Sequence, residues 1–252
     1  MSYRGSWDLS LSMLNQSVPS SLYNNSFPLP AGQCRERSYL IPASLTEAIS
    51  DRASEFCALH PRSHASQDYF FTVNNLDLQC MKEAPPEMGS SFSFKMRVRS
   101  YGVEVMSPYF LEIKYRIGEF ARLRTAILSR EDWSEIIEKS FLPADLDLDS
   151  AQTLEDFLYM IRRYEARPSV LSKYRSKVYL SQMDDKSQII FSNNYRSQST
   201  DAWTLQPCAD KPFKASDQVW LQLKYDRQMP IWMKEIAEDF ELTAITQENL
   251  MI

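Results

Sequence analysis

Several segments of this chain alternate charged and apolar residues with a period of two, the pattern of a β-strand whose faces lie in different surroundings. The clearest are Phe92–Tyr101, Tyr109–Ile117 and Phe120–Leu128, and the spacing predicts a strand in each. Successive side chains of a strand point to opposite sides, so each strand should carry its charges on one face. With the later strands, these faces present Lys95, Arg97, Arg99, Glu112, Lys114, Arg116, Arg122, Arg124, Lys173, Arg175, Lys177 and Lys224.

These charged faces are mostly cationic, although the whole chain is acidic, with 28 Lys and Arg, 33 Asp and Glu, and a net charge of -5. Like charges aligned on a sheet repel, and a bound anion would remove that cost. If the sheet closes, the charged faces line a lumen. If it stays open, they are ordinary solvated faces. Arginine binds phosphate oxygens in bidentate fashion, so a closed lumen would suit a polyphosphate.

The rest of the chain predicts further strands and helices. The other predicted strands are Cys34–Ile41, Tyr69–Val73 ended by Asn74 and Asn75, Val170–Leu180, Ser187–Asn193 and Gln218–Tyr225. The predicted helices are Leu45–Leu59 with a capping box of Ser44 and Glu47, Glu131–Lys139 capped by Ser129, Leu154–Tyr164 and Ile231–Phe240. Because strands dominate and short links join them, the pattern favours an α+β fold, an antiparallel sheet or barrel with helices packed outside.

Composition excludes several other classes. Residues 1–33 are rich in Ser, Asn and Pro and predict a loosely ordered extension before a domain at 34–252. The chain has five glycines and no G-x-G-x-x-G or Walker A motif, which argues against a Gly-rich nucleotide loop. Its negative charge disfavours nucleic acid as a partner. His60 and His64 are expected to be exposed rather than to bind a metal.

The expected location is cytoplasmic. Four scattered cysteines suit a reducing setting, and the chain contains no apolar run of the ~18 residues that span a bilayer. Direct insertion into a membrane is therefore not expected. Whether a membrane protein is a partner is left open by the sequence.

The order of several motifs resembles the VTC domain, the polyphosphate-polymerase branch of the CYTH or triphosphate tunnel metalloenzymes. The matching segments are RERSYLIP at 35–42, YFFTVNN at 69–75, KMRVRSYG at 95–102, FLEIK at 110–114, LQLK at 221–224 and MPIWM at 229–233. The resemblance implies an antiparallel tunnel of about eight strands that binds the phosphates of ATP together with Mn or Mg. It also implies transfer of the γ-phosphate to a growing polyphosphate chain, so the expected ligands are ATP, polyphosphate or another triphosphate.

The resemblance also implies roles for particular residues. Arg97, Arg99, Glu112 and Lys114 fall at positions expected to be catalytic, and Glu36 and Glu112 at positions expected to hold the metal. Further contacts to the substrate are expected from Lys95, Arg122, Arg124, Arg175, Lys177 and Lys224.

The sequence departs from the family pattern at several of these positions. Ser38 stands where the family has Lys, Ser176 where it has Arg, and Gln222 where it has a carboxylate expected to hold the metal. Gln188 and Ser192 stand where an Arg and an Asp are expected. An amide is a poorer ligand than a carboxylate for a hard cation.

Three hypotheses follow. The first is an active enzyme that forms polyphosphate or processes a triphosphate. The second is a non-catalytic relative that binds polyphosphate, a nucleotide or a partner. The third is an unrelated β-rich domain with solvated strand faces.

Overall fold

A computed structural model describes most of the chain from residue 34 onward, and the predicted extension at 1–33 lies outside the described residues. The described residues are 34–66, 68, 70–80, 92–103, 105, 108–117, 120–139, 143, 145–207, 214–216 and 218–245. The strands are β1 (Cys34–Ile41), β2 (Cys57–Leu59), β3 (Phe71–Gln79), β4 (Phe92–Tyr101), β5 (Tyr109–Ile117), β6 (Phe120–Leu128), β7 (Arg167–Ser181), β8 (Gln188–Ser199), β9 (Lys214–Ser216), β10 (Val219–Tyr225) and β11 (Ala244–Ile245). The helices are α1 (Leu45–Ser54), α2 (Pro61–His64), α3 (Arg130–Lys139), α4 (Leu148–Tyr164) and α5 (Ile231–Asp239).

Eight strands close into an antiparallel barrel in the order β7-β3-β4-β5-β6-β1-β10-β8, and a β7–β8 pairing completes the ring. Strands β2, β9 and β11 extend the pairing of β7, β8 and β1. Closure gives each barrel strand a neighbour on both sides, although β1 and β6 pair only at Cys34 with Ala121 and Arg35 with Phe120. The predicted α+β tunnel with helices packed outside is confirmed.

The helices cover the outside of the barrel in two groups. Helices α3 and α4 pack on the outer faces of β4, β5 and β6 through apolar residues that include Trp133, Phe157 and Met160. Helices α1 and α5 pack on β1, β8 and β10, with Ile49 and Met233 fully buried. The apolar faces of the strands therefore point outward to the helices, which leaves the charged faces of β4 and β5 inside. Among the described helices, none has both the length and the apolar character needed to cross a membrane.

The predicted helix Leu45–Leu59 is too long. It ends at Ser54, and residues 57–59 form β2, which pairs with the end of β7. Ser44 has helical backbone angles and makes no side-chain cap, so the predicted capping box is wrong. The strand pairing with β7 supplies the backbone hydrogen bonds that another helical turn would have made.

The asparagines that were predicted to end a strand lie inside it. Strand β3 continues through Asn74 and Asn75 to Gln79, and Tyr69 lies outside the described residues. Asn74 Nδ2 donates to the carbonyl of Gly102 over 3.0 Å, and Asn75 Nδ2 donates to Asp77 Oδ2 over 2.9 Å. Both amides are buried but satisfied, so the tertiary contacts outweigh the turn preference of asparagine.

The caps of α3 and α4 give one confirmation and one difference. In α3, the backbone N–H of Asp132 donates to Ser129 Oγ over 3.0 Å, as predicted. Helix α4 begins before the predicted Leu154, because Asp147 accepts a hydrogen bond from the backbone N–H of Ser150 over 2.9 Å. The acidic residues before the apolar run therefore form a helix start, a preference that Asp shares with Ser and Thr.

His60 is buried, which contradicts the predicted exposure, whereas His64 is exposed. His60 Nδ1 accepts a hydrogen bond from the backbone N–H of Arg62 over 3.1 Å. Burial and the neighbouring charge of Arg62 lower the pKa of His60 from 6.5 to about 4. The imidazole is consequently neutral in the folded protein at pH values where the unfolded chain already binds a proton.

We expect stability to fall as the pH decreases from 6.5 to about 4, because the unfolded state binds the extra proton in that window. The loss should approach about 1.4 kcal/mol per pH unit and total about 3 kcal/mol. Urea unfolding at several pH values measures it. The variant His60→Asn keeps an acceptor for the Arg62 N–H but does not titrate, so its slope should be smaller. Equal slopes for both proteins would contradict the assignment.

Candidate functional site inside the tunnel

The interior of the barrel contains a cavity lined by charged side chains from three strands. Arg97 and Arg99 of β4, Glu112 and Lys114 of β5, and Lys224 of β10 line this cavity, whose volume is about 60 Å³. The remaining lining residues are Val73, Leu123, Tyr174, Ser176, Ile190, Ser192 and Gln222. The predicted convergence of the cationic faces is therefore found for these strands, and the hypothesis of purely solvated faces does not fit them.

Glu112 is the centre of one ion-pair group. Arg97 Nε donates to Glu112 Oε2, and Arg99 Nε lies 3.6 Å from the same oxygen. Arg99 Nε also donates to Asn75 Oδ1 over 3.1 Å. Burial alone would raise the pKa of Glu112, but the charges of Arg97 and Arg99 hold it below the ordinary value. Although burial opposes it, Glu112 in turn raises the pKa of Arg99.

Glu36 of β1 is the centre of a second ion-pair group. Lys114 Nζ donates to Glu36 Oε2 over 2.7 Å, and Gln222 Nε2 donates to Glu36 Oε1 over 2.8 Å. Burial alone would raise the pKa of Glu36, but Lys114 and Lys224 lower it to about 2. Burial lowers the pKa of Lys114 to about 8 despite the attraction of Glu36, and it also lowers that of Lys224. Lys114 and Lys224 thus lie near one shared carboxylate, which does not fully compensate for the burial of both positive charges.

The described residues of the tunnel carry more cations than carboxylates. Arg97, Arg99, Lys114 and Lys224 surround only Glu36 and Glu112. Farther along the same inner faces, Arg116 Nη2 and Ser38 Oγ are buried and have no hydrogen-bond partner within the described residues. An anion that enters the cavity would supply the missing negative charge and new acceptors.

The described residues do not fit the divalent metal that the sequence led us to expect. Both oxygens of Glu36 accept hydrogen bonds, from Lys114 and Gln222, and Glu112 is held by two arginines. The amide of Gln222 turns its NH₂ group toward Glu36, so it acts there as a donor rather than a ligand. Within the described part of the chain, no group of three or more His, Cys, Asp or Glu residues could hold a metal ion.

Four predicted phosphate-binding residues lie on the outer face of the barrel. Arg124 pairs with Asp156 of α4, and Arg122 is exposed on the same face of β6, while Leu123 points inward. Arg175 Nη2 donates to Asp68 Oδ1 over 2.6 Å, and Lys177 Nζ to Ser50 Oγ over 3.4 Å. The predicted placement of these four side chains in the lumen is therefore wrong.

The strand register explains this difference. In β6, Leu123 pairs with Lys114, and in β7, Ser176 pairs with Ser192, so these residues share the inner face and their neighbours point outward. Lys95 lies on the inner face of β4 but is exposed toward one end of the barrel. The site inside the barrel therefore contains fewer basic residues than the sequence predicted.

Several residues of the site were not predicted. Asn75 orients Arg99, and Tyr174 lines the cavity beside Ser176. Ser176 Oγ and Ser192 Oγ lie 3.0 Å apart and share a hydrogen bond. The inward side of Tyr174 and Ser176 becomes clear only from the register of β7 against β3, and Asn75 was interpreted as part of a turn signal.

Comparison with known proteins gives one family match and several structural neighbours. The family model described as the VTC domain matches residues 34–247. No curated protein sequence matches the chain.

Solved structures of similar shape include a candidate adenylate cyclase from Bacillus halodurans, at 12% identity and a TM-score of 0.47, covering 88% of this chain and 98% of that chain. A candidate adenylyl cyclase from Hippeastrum with a dominant triphosphatase activity aligns at 12% identity and a TM-score of 0.38, covering 82% of this chain and 85% of that chain.

Removing the carboxylate of Glu112 should destabilise the empty tunnel. The variant Glu112→Gln leaves Arg97 and Arg99 buried without their counter-charge, at an expected cost of about 3 kcal/mol in the free energy of unfolding. Urea unfolding measures the loss, and added sulfate should recover part of it by replacing the missing negative charge. The matched control is Glu235→Gln, which breaks an exposed ion pair with Arg52 and should cost less than about 1 kcal/mol. Equal losses in both variants would contradict this account.

Proposed function

Because this chain belongs to the VTC domain family, we propose that its tunnel binds the phosphate chain of ATP, polyphosphate or another triphosphate. The observation that carries the proposal is the excess of cations over carboxylates in one buried cavity. A phosphate chain repeats a negative charge at every unit, so it can contact several of these cations at once.

The cavity residues differ in what they offer a phosphate. Arg97 and Arg99 are rigid forks whose remaining N–H groups suit paired phosphate oxygens, and Lys114 and Lys224 are compact point charges. Glu112 and Glu36 hold three of these cations in place before a ligand arrives. This arrangement reduces the ordering cost of binding, and the closed wall strengthens each interaction by excluding water.

The long side chains of Arg97 and Lys114 border the space that a phosphate chain would enter. The volume of this space, about 60 Å³, holds several water molecules. Both side chains are partly accessible, with exposures of 20% and 14%. Binding would allow these side chains to exchange contacts with carboxylates for contacts with phosphate.

Phosphoryl transfer is a second candidate function, and the retained Arg97, Arg99, Glu112 and Lys114 favour it. In that reaction the bond from the γ-phosphorus to the bridging oxygen of ATP breaks, and a bond to a terminal oxygen of polyphosphate forms. Such transfer depends mainly on positioning and charge neutralisation. The misfit between the described carboxylates and a divalent metal places binding ahead of transfer.

Triphosphate, ATP and polyphosphate should each raise the melting temperature of the protein. At a ligand concentration about 100 times its dissociation constant, the gain is about 2.7 kcal/mol. The variant Arg99→Ala should weaken binding by about 10-fold or more, because a charged hydrogen bond is worth about 1.5–3 kcal/mol. The control Arg175→Ala removes an arginine from the outer face of the barrel and should leave binding unchanged. Equal effects of the two substitutions, or no stabilisation by any of these ligands, would refute the proposal.

A second experiment separates binding from transfer and tests the role of position 222. The wild-type protein should bind ATP equally well with Mn or with a chelator, and should release no ADP. The variant Gln222→Glu places a second carboxylate against Glu36, so its ATP binding should become stronger with Mn than without. Melting curves and an ADP assay report both properties. Release of ADP together with stainable polymer by the wild type would instead favour transfer.

A further inference from the structure

A cation that does not belong to the barrel strands reaches one end of the lumen. Arg62 is part of the single-turn helix α2, and its guanidinium lies 4.1 Å from the ring centroid of Tyr101 and 5.4 Å from that of Phe110. Tyr101 shares the inner face of β4 with Arg99, and Phe110 shares the inner face of β5 with Glu112. Because both rings belong to inner-face side chains, the guanidinium lies at the lumen and not on the outer wall of the barrel.

Arg62 lies past the cavity, in the direction in which β4 ends. Tyr101 is the last residue of β4, two positions after Arg99, and two residues of a strand span about 7 Å. Phe110 pairs with Arg99, and its ring lies 5.0 Å from that of Tyr101. Burial raises the pKa of Tyr101, and the charges of Arg99 and Arg62 oppose that rise, so both cations act on the same hydroxyl group. The positive charge of the cavity thus continues to this end of the barrel.

Backbone hydrogen bonds and stacking hold Arg62 in this position. The carbonyl of Val178 accepts from the His60 N–H over 2.9 Å, and the Val178 N–H donates to Ser63 Oγ over 2.9 Å. The backbone N–H of Arg62 itself donates to His60 Nδ1 over 3.1 Å. A guanidinium that stacks on aromatic rings keeps N–H groups at its edge for other acceptors. Arg62 is therefore oriented before a ligand arrives, which lowers the ordering cost of binding.

The hydrogen bonding of this guanidinium is incomplete. Arg62 Nη1 is shielded from water and has no hydrogen-bond partner within the described residues. The residue as a whole is only partly buried, so a ligand at this end of the barrel can approach it. A buried donor without an acceptor costs free energy, and a phosphate oxygen is a strong acceptor for arginine.

We propose that Arg62 is a further binding residue of the tunnel and contacts the part of a phosphate chain that extends past the cavity toward Tyr101 and Phe110. This inference rests on the function proposed above and narrows its preferred ligands to linear phosphate chains longer than triphosphate. A chain held by Arg97 and Arg99 gains the contact with Arg62 only if it has further units in that direction. The tunnel should therefore bind longer chains more tightly than triphosphate.

The test compares the wild type with Arg62→Met in their affinities for triphosphate and for a longer linear polyphosphate, measured by calorimetry. Methionine keeps an apolar stem over the rings but removes the charge and the N–H groups. We expect the affinity for the longer chain to fall by about 10-fold or more, the value of a hydrogen bond to a charged group, and the affinity for triphosphate to change little. The matched control is Arg52→Met, which removes an arginine that lies 5.0 Å from the ring centroid of Phe56 outside the barrel. Both affinities should stay unchanged in this control.

The comparison of two ligands distinguishes a direct contact from a structural role. A substitution that only distorted the cavity would weaken both ligands alike. Equal losses for the two ligands, or no loss for the longer chain, would therefore overturn the inference. If neither ligand binds the wild type, the proposed function itself fails. If triphosphate binds normally and Arg62→Met keeps the same preference for the longer chain, only the role of Arg62 is wrong.

A second measurement applies if Arg62→Met does not fold. Arg62→Lys keeps the positive charge and the long stem but loses the paired N–H groups of the guanidinium. In the isotope-labelled wild type, the Nε–H signal in the nuclear magnetic resonance spectrum that Arg62→Lys lacks belongs to Arg62. The longer chain should shift this signal, and triphosphate should leave it in place. A signal that neither ligand moves, or that both move equally, would contradict the contact.

Discussion

The pairing of buried carboxylates with cations inside the barrel is the interaction on which the rest of this structure depends. Six charged side chains point into a space from which most water is excluded, and an isolated charge there would cost several kcal/mol. Glu112 with two arginines, and Glu36 with Lys114 and Gln222, keep that cost low enough for the barrel to close. Because the pairing is incomplete, the same groups also leave a cavity that favours an anion.

The charged interior determines where the stabilising core must be. An ordinary small barrel fills its interior with apolar side chains, but here the strands turn those side chains outward. Helices α3 and α4 on one side and α1 and α5 on the other bury them, around residues such as Phe157 and Met233. The hydrophobic contribution to folding therefore comes mainly from the helix–barrel interfaces. The lumen is thereby free to hold polar groups chosen for binding rather than for stability.

The sequence predicted the inner face correctly where the two faces of a strand differ strongly. In β4 and β5, apolar residues such as Val98 and Leu111 alternate with charges, and the buried outer face fixes the parity. In β6 and β7 the alternation is weaker. The neighbours of Arg124 and Lys177 are small polar or apolar residues, so the pattern does not show which side of the strand faces the lumen. Their side is decided by contacts distant in sequence, such as Asp156 and Ser50, which no local pattern reveals. The same limit applies to Asn75, whose partner Arg99 lies on another strand.

Two departures from the family pattern together replace one positive and one negative side chain with neutral ones. The resemblance places an arginine at the position of Ser176 and an aspartate at that of Ser192. These two residues are paired on the neighbouring strands β7 and β8. Losing one member of a buried ion pair is costly, whereas losing both is often neutral. Their hydroxyl groups now share a hydrogen bond, which leaves that wall satisfied without charge.

Gln222 follows the same logic beside Glu36. A second carboxylate at this position would require another cation or a metal, and the amide instead donates directly to Glu36. By the resemblance, each change removes a charge from the wall of the tunnel, while the cations of β4, β5 and β10 keep an excess of positive charge in the cavity. One barrel can thus fold without a bound metal and still carry an excess of cations, which is the physical reason for proposing binding ahead of transfer.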